Sequence, residues 1–515
     1  MNAIPKQNDV RGSGPLDWDS IDWKKAEESV RKLQARIVKA QREGRYGKVK
    51  SLSRILTRSF AARALAVKRV TQNKGKRTSG VDGLLWTSPK QQAKAVLGLN
   101  PQGYKAKPLR RVYIPKSNGK QRPLGIPTMK DRAMQALYLL ALEPIAETTA
   151  DQFSYGFRRG RSTADAIGQG FIVLSQSVAP QWVLEGDIKG CFDNISHEWL
   201  LQHIPMEKRI LRQWLKAGYV ENTFLYDTNE GTPQGGIISP VLANMTLDGL
   251  QRLIQDRYKE RHARKGVMRW TSKRRNPPPK VNLIRYADDF IITGVSKELL
   301  ENEVKPMVRG FLAQRGLVLS EEKTAITHIT EGFDFLGFNF RKYGAKLLIK
   351  PSKKGVRRLL EKIRGIIKGR LGQGGAGYML IRRVNPILRG WANYYRHAVS
   401  SKTFSKIDSN VWECLWRWAK YRHPHKGKRW IKRRYFTLKG TRNWVFNDTN
   451  DGKKHVLFRL SKVSIVRHVN TRLDANPFDP QWRKYFEARR RKDATKELRY
   501  VQCVIVPGVV KATPS

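Results

Sequence analysis

The chain has 515 residues, with 100 Lys and Arg against 43 Asp and Glu and a formal net charge of +57 at pH 7. Like charge on this scale repels itself unless a polyanion neutralises it, so nucleic acid is the expected partner, with a solvated basic surface or anionic lipid as alternatives. Hydrophobic residues make up 40% of the chain, which excludes wholesale disorder, and the length predicts two to four folded units.

Three cysteines, Cys191, Cys414 and Cys503, lie far apart in the sequence. Because they form no CxxC pair, they predict neither a disulfide framework nor a structural zinc site. No run of about 18 apolar residues predicts a membrane span, and the polar N-terminus lacks the apolar segment of a secretion signal. We therefore expect a cytoplasmic protein with no membrane partner.

The N-terminal part, residues 1–85, is predicted to be a basic helical extension. One apolar stripe recurs there at helical spacing, formed by Trp23, Val30, Leu33, Ile37 and Val38. Gly44 and Gly47 indicate a break, and a second helix is predicted through four apolar positions, Leu52, Ile55, Leu56 and Phe60. The basic side chains of this part, including Arg63 and Arg69, either face solvent or contact RNA, and the net charge favours RNA.

Strands and helices interleave from about residue 86 to 345, which predicts an α+β domain. A hairpin is predicted from two strands, Arg111–Ile114 and Arg122–Ile126, with Ser117–Lys120 as the turn. A helix is predicted from Lys130 through Ala146. Four further strands are expected at Trp182–Ile188, Leu283–Tyr286, Phe290–Thr293 and Phe335–Phe340. Beyond 346 the pattern is helical and basic to about 425, and the basic, Trp-rich remainder is hard to assign.

Clustered acidic residues are the informative feature of so basic a chain. Asp288 and Asp289 stand side by side in LIRYADDFIIT, and WVLEGDIKGCFDNI ends another predicted strand at Asp187, followed by Asp193. Adjacent carboxylates in a buried hairpin repel each other, and a divalent cation removes that cost because it takes them as oxygen ligands. Turns rich in Asp are the alternative. The apolar flanks favour neighbouring strands that present Asp187, Asp288 and Asp289 to two Mg²⁺ ions about 4 Å apart.

The motif YADD at Tyr286–Asp289 resembles the YxDD box of reverse transcriptases, and Asp187 matches the first carboxylate of that family. Five further blocks follow the family's order: RRVYIPKSNGKQRPLGIP, QFSYGFRRGRSTADAI, GTPQGGIISPVLAN, LSEEKT and FLGF. The resemblance covers about 86–345. It implies an α+β right-hand polymerase with fingers and palm, preceded by the helical basic N-terminal extension and followed by a helical thumb.

The resemblance also implies roles for single residues. Asp187 and Asp288 would be the main metal ligands, with Asp289 in support and Ile188 as a further member of the metal site. The implied nucleotide contacts are Lys120 and Arg122 at the triphosphate, Phe192 against the ribose 2′-hydroxyl, Gln234 at the nucleotide and templating base, and Lys323 near the leaving pyrophosphate. Without the resemblance, Phe192 would be an ordinary core residue and the two hairpin cations would be solvated charges.

Three features resemble group II intron-encoded reverse transcriptase/maturases. They are the N-terminal extension, the motifs SYGFRRGRS and GTPQGGIISP, and the segment ILRGWANYYRHAVSSKTF followed by WECLWRWAKYRHPHK. They imply an RNA-binding thumb or maturase domain over 346–428, where aromatic and basic side chains suit stacking and phosphate contacts. A helical core with a basic exterior is the alternative. The implied RNA contacts in these blocks are Arg158, Arg159, Arg161, Arg389, Arg396 and Lys402.

Residues 429–515 are expected to be a basic DNA-binding segment. Many relatives end in an HNH endonuclease supported by CxxC pairs, whereas one cysteine and no histidine follow Phe486 here. Because such a set cannot build that metal site, no DNA-cleaving activity is expected. Homing would then use a primer supplied by replication.

The expected function is RNA-directed DNA synthesis on a group II intron RNA, with dNTPs, a DNA target or primer and two Mg²⁺ ions. The protein would also assist splicing of that RNA, by binding it and not by chemistry of its side chains. One alternative is a domesticated reverse transcriptase in phage defence or CRISPR adaptation, which the maturase-like region disfavours. Another is an RNA-binding maturase without polymerase activity, disfavoured by the three intact carboxylates. An RNA-templated RNA polymerase is disfavoured by Phe192.

Overall fold

The computed structural model describes residues 16–115, 119, 121–263, 280–369, 374–439 and 442–491. Within these ranges helices and strands interleave between residues 109 and 351, whereas helices follow one another without strands over 23–98 and 353–435. This mixture of helices and sheets agrees with the expected α+β class. The predicted hairpin turn Ser117–Lys120 lies outside the described residues except for Gly119. No helix in the described ranges combines the length and the apolar character that crossing a membrane requires.

The helices in chain order are α1 (Trp23–Arg42), α2 (Tyr46–Arg58), α3 (Phe60–Gln72), α4 (Pro89–Gly98), α5 (Met129–Thr149), α6 (Thr163–Leu174), α7 (Cys191–Asn194), α8 (His197–His203), α9 (Lys208–Leu215), α10 (Ser239–Leu247), α11 (Leu250–Ala263), α12 (Lys297–Leu299), α13 (Lys305–Ala313), α14 (Lys353–Lys368), α15 (Gly377–Tyr395), α16 (Ser401–Arg422) and α17 (Lys428–Tyr435). A π-helical turn, Leu300–Val304, joins α12 to α13, and 3-10 turns lie at Lys74–Arg77, Leu460–Lys462 and Pro480–Trp482.

The strands are β1 (Leu109–Pro115), β2 (Gln121–Ile126), β3 (Trp182–Gly186), β4 (Tyr219–Glu221), β5 (Phe224–Tyr226), β6 (Asn282–Tyr286), β7 (Asp289–Gly294), β8 (Ala325–His328), β9 (Phe333–Phe335), β10 (Phe338–Tyr343), β11 (Lys346–Pro351), β12 (Phe436–Lys439), β13 (Arg442–Asn450) and β14 (Lys453–Val456). They form four sheets, with the orders β2-β1-β4-β5, β6-β7-β3-β8, β11-β10-β9 and β12-β13-β14.

The N-terminal extension packs onto α5 and does not form a core of its own. The apolar stripe of α1 is buried at Val30 and Ile37, as predicted from its spacing, and lies against α3 and α5. The second predicted helix is wrong as a single helix, because Ser59 adopts an extended conformation that ends α2, and its side chain then caps α3. Ile55 is also placed wrongly on a packed stripe, since 55% of it is exposed.

The central sheet, β6-β7-β3-β8, places the acidic motifs side by side. β3 and β7 pair antiparallel, with Gly186 opposite Phe290, and β6 and β7 form a tight hairpin in which Tyr286 pairs with Asp289. Asp187 follows directly after β3, so it emerges at the end of the sheet where the hairpin turns. The predicted adjacency of the two acidic strands is therefore confirmed.

Each face of the central sheet belongs to a different apolar cluster. Because side chains alternate along a strand, Val183 of β3 joins one cluster and Leu184 joins the other. The cluster of Leu184 includes the N-terminal helices and α5, while the cluster of Val183 includes β10 and the helices α14 to α16. The central sheet is thus the partition between the two halves of the protein.

The predicted strand Phe335–Phe340 is two strands. Leu336 and Gly337 both have positive φ values, 51° and 81°, and they turn the chain so that β9 and β10 pair antiparallel. The hydroxyls of Tyr394 and Tyr395 donate hydrogen bonds to the carbonyls of these two turn residues, at 2.8 and 3.1 Å. The turn is therefore fixed from α15, by contacts that sequence periodicity does not reveal.

The chain returns from the C-terminal sheet to residues near the start of α6. Residues 463–491, here called the return segment, meet Asp165, which is fully buried. One of its carboxylate oxygens accepts hydrogen bonds from His468 Nε2 at 3.0 Å and from the Thr471 amide at 2.7 Å. The expected DNA-binding segment 429–515 therefore contains a folded sheet and a segment that packs on the protein itself.

Candidate active site

Three carboxylates converge at the end of the central sheet. Asp187 follows β3, and the turn between β6 and β7 presents Asp288 and Asp289 beside it. Burial raises the pKa of Asp288, and the negative charge of Asp187 raises it further. Burial, followed by the charges of Asp288 and Asp187, raises the pKa of Asp289 to about 6. The three side chains therefore share one partly desolvated, strongly negative site.

Cys191 lies at the edge of the same site. It begins α7, one turn after β3, and it is buried. Burial, together with the negative charge of Asp288 and of the other nearby carboxylates, raises the pKa of its thiol to about 12. Cys191 is therefore a neutral thiol at neutral pH, packed beside the carboxylates.

The donor set suits a hard divalent cation. In the part of the chain that the structure describes, no three His, Cys, Asp or Glu side chains are grouped closely enough to hold an ion by themselves. Mg²⁺ does not require such a cage, because it usually binds through one or two carboxylates, water and substrate phosphates. Asp187 and Asp288 are the residues that could hold it, with Asp289 beside them, because the charge of Asp187 raises the pKa of both of the other carboxyls.

Ile188 was predicted as a further member of the metal site. It is buried and forms an isolated antiparallel bridge with Leu319. The bridge is flanked by hydrogen bonds from the Ser320 amide to the Asp187 carbonyl and from the Lys189 amide to the Val318 carbonyl, at 2.8 and 2.9 Å. A metal contact by Ile188 stays a prediction.

Two predicted cations reach the carboxylates. Lys323 Nζ donates a hydrogen bond to Asp187 Oδ2 at 2.5 Å, and this bond raises the pKa of the lysine. Arg122, exposed on β2, is close enough for its positive charge to favour the ionised form of Asp288. Lys120, the third predicted cation, lies outside the described residues. Two basic side chains from distant segments thus face the acidic site.

The predicted nucleotide contacts Phe192, in α7, and Gln234, in a turn before α10, lie on two segments that touch each other. The Thr232 amide donates a hydrogen bond to the Phe192 carbonyl at 2.6 Å, and Gln234 Nε2 donates one to Asp193 Oδ2 at 2.7 Å. The Gln234 carbonyl accepts a hydrogen bond from the Gly125 amide of β2 at 2.9 Å. This turn therefore links the sheet that carries Arg122 to the segment after Asp187.

Three residues that contact the site were not predicted. Arg285, inside the apolar strand LIRYADD, is buried directly below the acidic turn, and a charged residue in so apolar a segment was the available signal. Gly156 lies against the backbone of Ala287. Phe157 has a positive φ of 58° and its ring lies edge-to-face with Phe192, at 6.4 Å between centroids. Nothing in the local pattern of SYGFRRGRS indicates these last two contacts.

Two of the predicted RNA contacts are wrong because their guanidinium groups are buried within the protein. Arg158 is 7% exposed, its Nη2 lies 2.7 Å from Glu147 Oε1, and its Nη1 donates to the carbonyls of Asp151 and Ser154. Arg161 is 1% exposed, pairs with Glu147 as well and donates to two carbonyls of the return segment. These arginines hold the fold together and do not face a partner.

The remaining predicted RNA contacts are exposed or half-buried and stay predictions: Arg63, Arg69, Arg159, Arg389, Arg396 and Lys402. Arg159, next to the buried Arg158, is 50% exposed and pairs with Glu143 at 2.9 Å. The block SYGFRRGRS therefore separates into structural and accessible arginines.

Comparison with known proteins places the site in a family context. The profile described as "Reverse transcriptase (RNA-dependent DNA polymerase)" matches residues 114–340. The profile "N-terminal domain of reverse transcriptase" matches 18–99, and "Group II intron, maturase-specific domain" matches 356–436. All three carboxylates of the site lie within the first match.

Individual relatives agree with these matches. Protein YkfC of Escherichia coli is 35% identical over 330 residues, which cover 58% of this chain and 84% of YkfC. Group II intron-encoded protein LtrA of Lactococcus lactis is 33% identical over 331 residues, 54% of either chain. The uncharacterized 91 kDa protein in the cob intron of Schizosaccharomyces pombe is 29% identical over 399 residues, 64% of this chain and 49% of that protein. The chain thus matches about half the length of the last two relatives.

Proposed function

The chain belongs to the family of group II intron-encoded reverse transcriptase/maturases, and from this premise we propose that it copies a group II intron RNA into DNA. The observation that carries the proposal is the convergence of Asp187, Asp288 and Asp289 with Lys323 and Arg122 at one end of the central sheet. The central sheet would be the palm, the sheet β2-β1-β4-β5 the fingers, and α14 to α16 the thumb or maturase domain.

The carboxylates would hold two Mg²⁺ ions. Asp187 and Asp288 would be shared ligands, and Asp289 would add negative charge beside them. When bound in such a site, the ions supply activation of the attacking 3′-hydroxyl and stabilisation of the leaving oxygen. Support for this assignment comes from burial and mutual repulsion of the carboxylates, because a divalent cation offsets both costs.

The neighbouring side chains would bind the incoming dNTP. Arg122 on β2, whose charge acts on Asp288, and Lys323, which is hydrogen-bonded to Asp187, would contact the triphosphate. The half-buried ring of Phe192 would pack against the sugar and disfavour a 2′-hydroxyl. Gln234, held by Asp193 and Gly125, would contact the nucleotide and the templating base.

RNA binding would rest on the excess of positive charge and on the maturase region. The net charge of +57 favours the binding of a polyanionic partner. The maturase-specific match indicates where RNA would bind, because it covers the helices α14 to α17. Binding there would stabilise the folded intron RNA during splicing, and no side chain would take part in the splicing chemistry. DNA would enter as primer or target.

The test of the polymerase is dTTP incorporation on poly(rA) primed with oligo(dT), with and without Mg²⁺. The variants are Asp288→Ala and, as a matched control, Asp451→Asn at an exposed turn remote from the site. We expect Mg²⁺-dependent incorporation by the parent and the control, none by Asp288→Ala, and little UTP incorporation by any of them. An inactive parent that still binds RNA tightly would overturn the polymerase and leave an RNA-binding maturase.

The test of splicing assistance uses the RNA transcribed from the flanks of the protein's own gene. If the protein assists splicing by binding, the parent and Asp288→Ala proteins should accelerate splicing equally at low Mg²⁺. Loss of this acceleration in Asp288→Ala alone would contradict the separation of the two functions.

A further inference from the structure

Arg285 is a buried cation within the central sheet. It lies on β6, three residues before Asp288, and its side chain is 1% exposed. A charge in such surroundings costs free energy unless ion pairs and hydrogen bonds compensate it. The groups that Arg285 contacts therefore indicate its structural role.

The guanidinium group contacts three groups around the acidic turn. Nη2 lies 2.5 Å from Asp248 Oδ1, and Nη1 lies 3.3 Å from Asn244 Oδ1 and 3.3 Å from the Ala287 carbonyl oxygen. Asp248 and Asn244 belong to α10 and its C-terminal cap. The side chain of Arg285 thus ties the acidic turn, through the Ala287 carbonyl, to α10.

Ala287 is the residue whose conformation makes the turn. Its φ of 58° lies in the left-handed region, which residues with a β-carbon rarely adopt. Such a conformation persists when the surrounding contacts fix it. The contact from Arg285 reaches the carbonyl of Ala287, the peptide group that joins it to Asp288.

The main chain of Arg285 is held from the other side as well. Its amide donates to the Phe153 carbonyl and its carbonyl accepts from the Tyr155 amide, both at 2.9 Å. Residues 153–155 therefore extend the central sheet beyond β6, with Ser154 opposite Arg285 in a parallel bridge. Asn244 Nδ2 completes the junction with a hydrogen bond to the Gly156 carbonyl at 2.7 Å.

We propose that Arg285 is a positioning residue for the polymerase reaction, which fixes the Asp288 carboxylate by holding the Ala287 carbonyl against α10. The proposal rests on the polymerase function proposed above. Its physical basis is that metal ligands must be held to within a fraction of an ångström, so a small displacement of the turn costs rate even where the fold survives. Asn244 shares this role, because it braces both the guanidinium group and residue Gly156.

The test compares Arg285→Lys with a matched variant, Arg132→Lys. Arg132 is also a buried arginine, which donates to the carbonyls of Pro127, Gly75 and Thr78, remote from the three carboxylates. A lysine at 285 keeps the charge beside Asp248 but loses the planar fork that reaches Ala287 and Asn244 together. Any loss caused by general weakening of the fold should therefore appear in both variants.

Five quantities decide the outcome: kcat and KM for dTTP on primed poly(rA), Mn²⁺ affinity measured by electron paramagnetic resonance, affinity for poly(rA), and Tm. For Arg285→Lys we expect kcat to fall about tenfold or more, Mn²⁺ to bind several-fold more weakly, and RNA affinity to stay within about twofold. Arg132→Lys should change Tm without changing Mn²⁺ affinity.

The inference is overturned if Arg285→Lys keeps the parent's kcat and Mn²⁺ affinity, or if its losses match those of Arg132→Lys. Should Arg285→Lys fail to fold, Asn244→Ala gives the second test, with a several-fold loss of kcat and of Mn²⁺ affinity expected at unchanged RNA affinity. No change in Asn244→Ala would also overturn the inference. An inactive parent would overturn the proposed polymerase function and, with it, this inference. An active parent with an unaffected Arg285→Lys variant would overturn this inference alone.

Discussion

Lys323 donates a hydrogen bond to the Asp187 carboxylate, although 136 positions separate the two residues along the chain. The lysine side chain is 66% exposed, whereas that of Asp187 is largely buried. The pairing brings a cation from the loop before β8 to a carboxylate at the end of β3. It places a positive charge where a nucleotide triphosphate would meet the acidic site.

Replacing this lysine should affect catalysis more than stability. We expect Lys323→Ala to lower kcat for dNTP incorporation about tenfold or more, because the leaving pyrophosphate loses a nearby cation. Tm should change little, since exposed ion pairs contribute little to folding. Lys323→Arg, measured in the same steady-state assay, should recover part of the rate. Equal rates in the Ala, Arg and parent proteins would contradict a role for this side chain.

Gly156 should not tolerate a side chain. A β-carbon there would lie under 3.0 Å from the backbone of Tyr286 and Ala287, closer than real β-carbons come. Gly156→Ala should therefore displace the acidic turn and lower dTTP incorporation by an order of magnitude or more. The control is Gly365→Ala in α14, where the β-carbon meets nothing within 4 Å. That variant should gain about 0.5–1 kcal/mol of stability and keep its activity.

The two neighbouring arginines Arg158 and Arg159 should behave oppositely. Arg158→Ala leaves Glu147 without its closest cation in a buried site, so it should lower the free energy of unfolding by about 3–5 kcal/mol. Arg159→Ala should change stability by about 1 kcal/mol or less, because this residue is half exposed. Urea unfolding of both variants measures the difference. Comparable losses of stability would contradict the division of this block into structural and accessible arginines.

One partly buried histidine, His397, should contribute less to stability in mild acid than at neutral pH. Burial, and then the positive charge of His468, lower the pKa of His397 from its ordinary value of 6.5 to about 4. The unfolded chain then binds this proton more tightly than the folded one, so stability is complete above about pH 6.5 and falls as the pH drops toward 4, by about 3 kcal/mol in all.

Asp165, which faces the same histidines, acts in the same direction. Although burial alone would raise its pKa, hydrogen bonds from His468, the Thr471 amide and Ser162 hold that pKa well below its usual range. Ionised Asp165 therefore contributes to the free energy of unfolding above the ordinary Asp pKa, and this contribution is lost as the pH falls below that value.

Asp248 and Asp289, whose pKa values burial raises to about 7 and about 6, shift stability in the opposite direction over the same range. Urea unfolding between pH 7 and pH 5 therefore compares the parent with His397→Gln: relative to the variant, the parent should lose stability as the pH falls, and identical pH dependences would count against this assignment.

The sequence predicts the acidic site well because its signal is local. Apolar segments flank Asp187 and the pair Asp288 and Asp289, so each had to end or begin a buried strand, and the central sheet brings them together. The long helix predicted over Lys130–Ala146 is found as α5, Met129–Thr149, for the same reason.

Features set by distant contacts were not predictable in this way. The spacing of FDFLGFNF is that of one strand, and the positive φ values at Leu336 and Gly337 depend on tyrosines of α15. Arg158 and Arg161 are in a basic block, but nothing local shows that both meet Glu147 inside the protein. The position of the return segment depends on hydrogen bonds from His468 and Thr471 to Asp165, which no local pattern reveals.

The division of the central sheet between two apolar clusters also bears on how the protein unfolds. If the cluster around Leu184 came apart alone, one face of the sheet would be exposed to water, and the strands that support Val183 on the other face would lose their packing. The two halves are therefore coupled through a single layer, the central sheet. We expect calorimetry of the protein to record a single cooperative heat-absorption peak. In that peak the N-terminal helices and the maturase region would melt together.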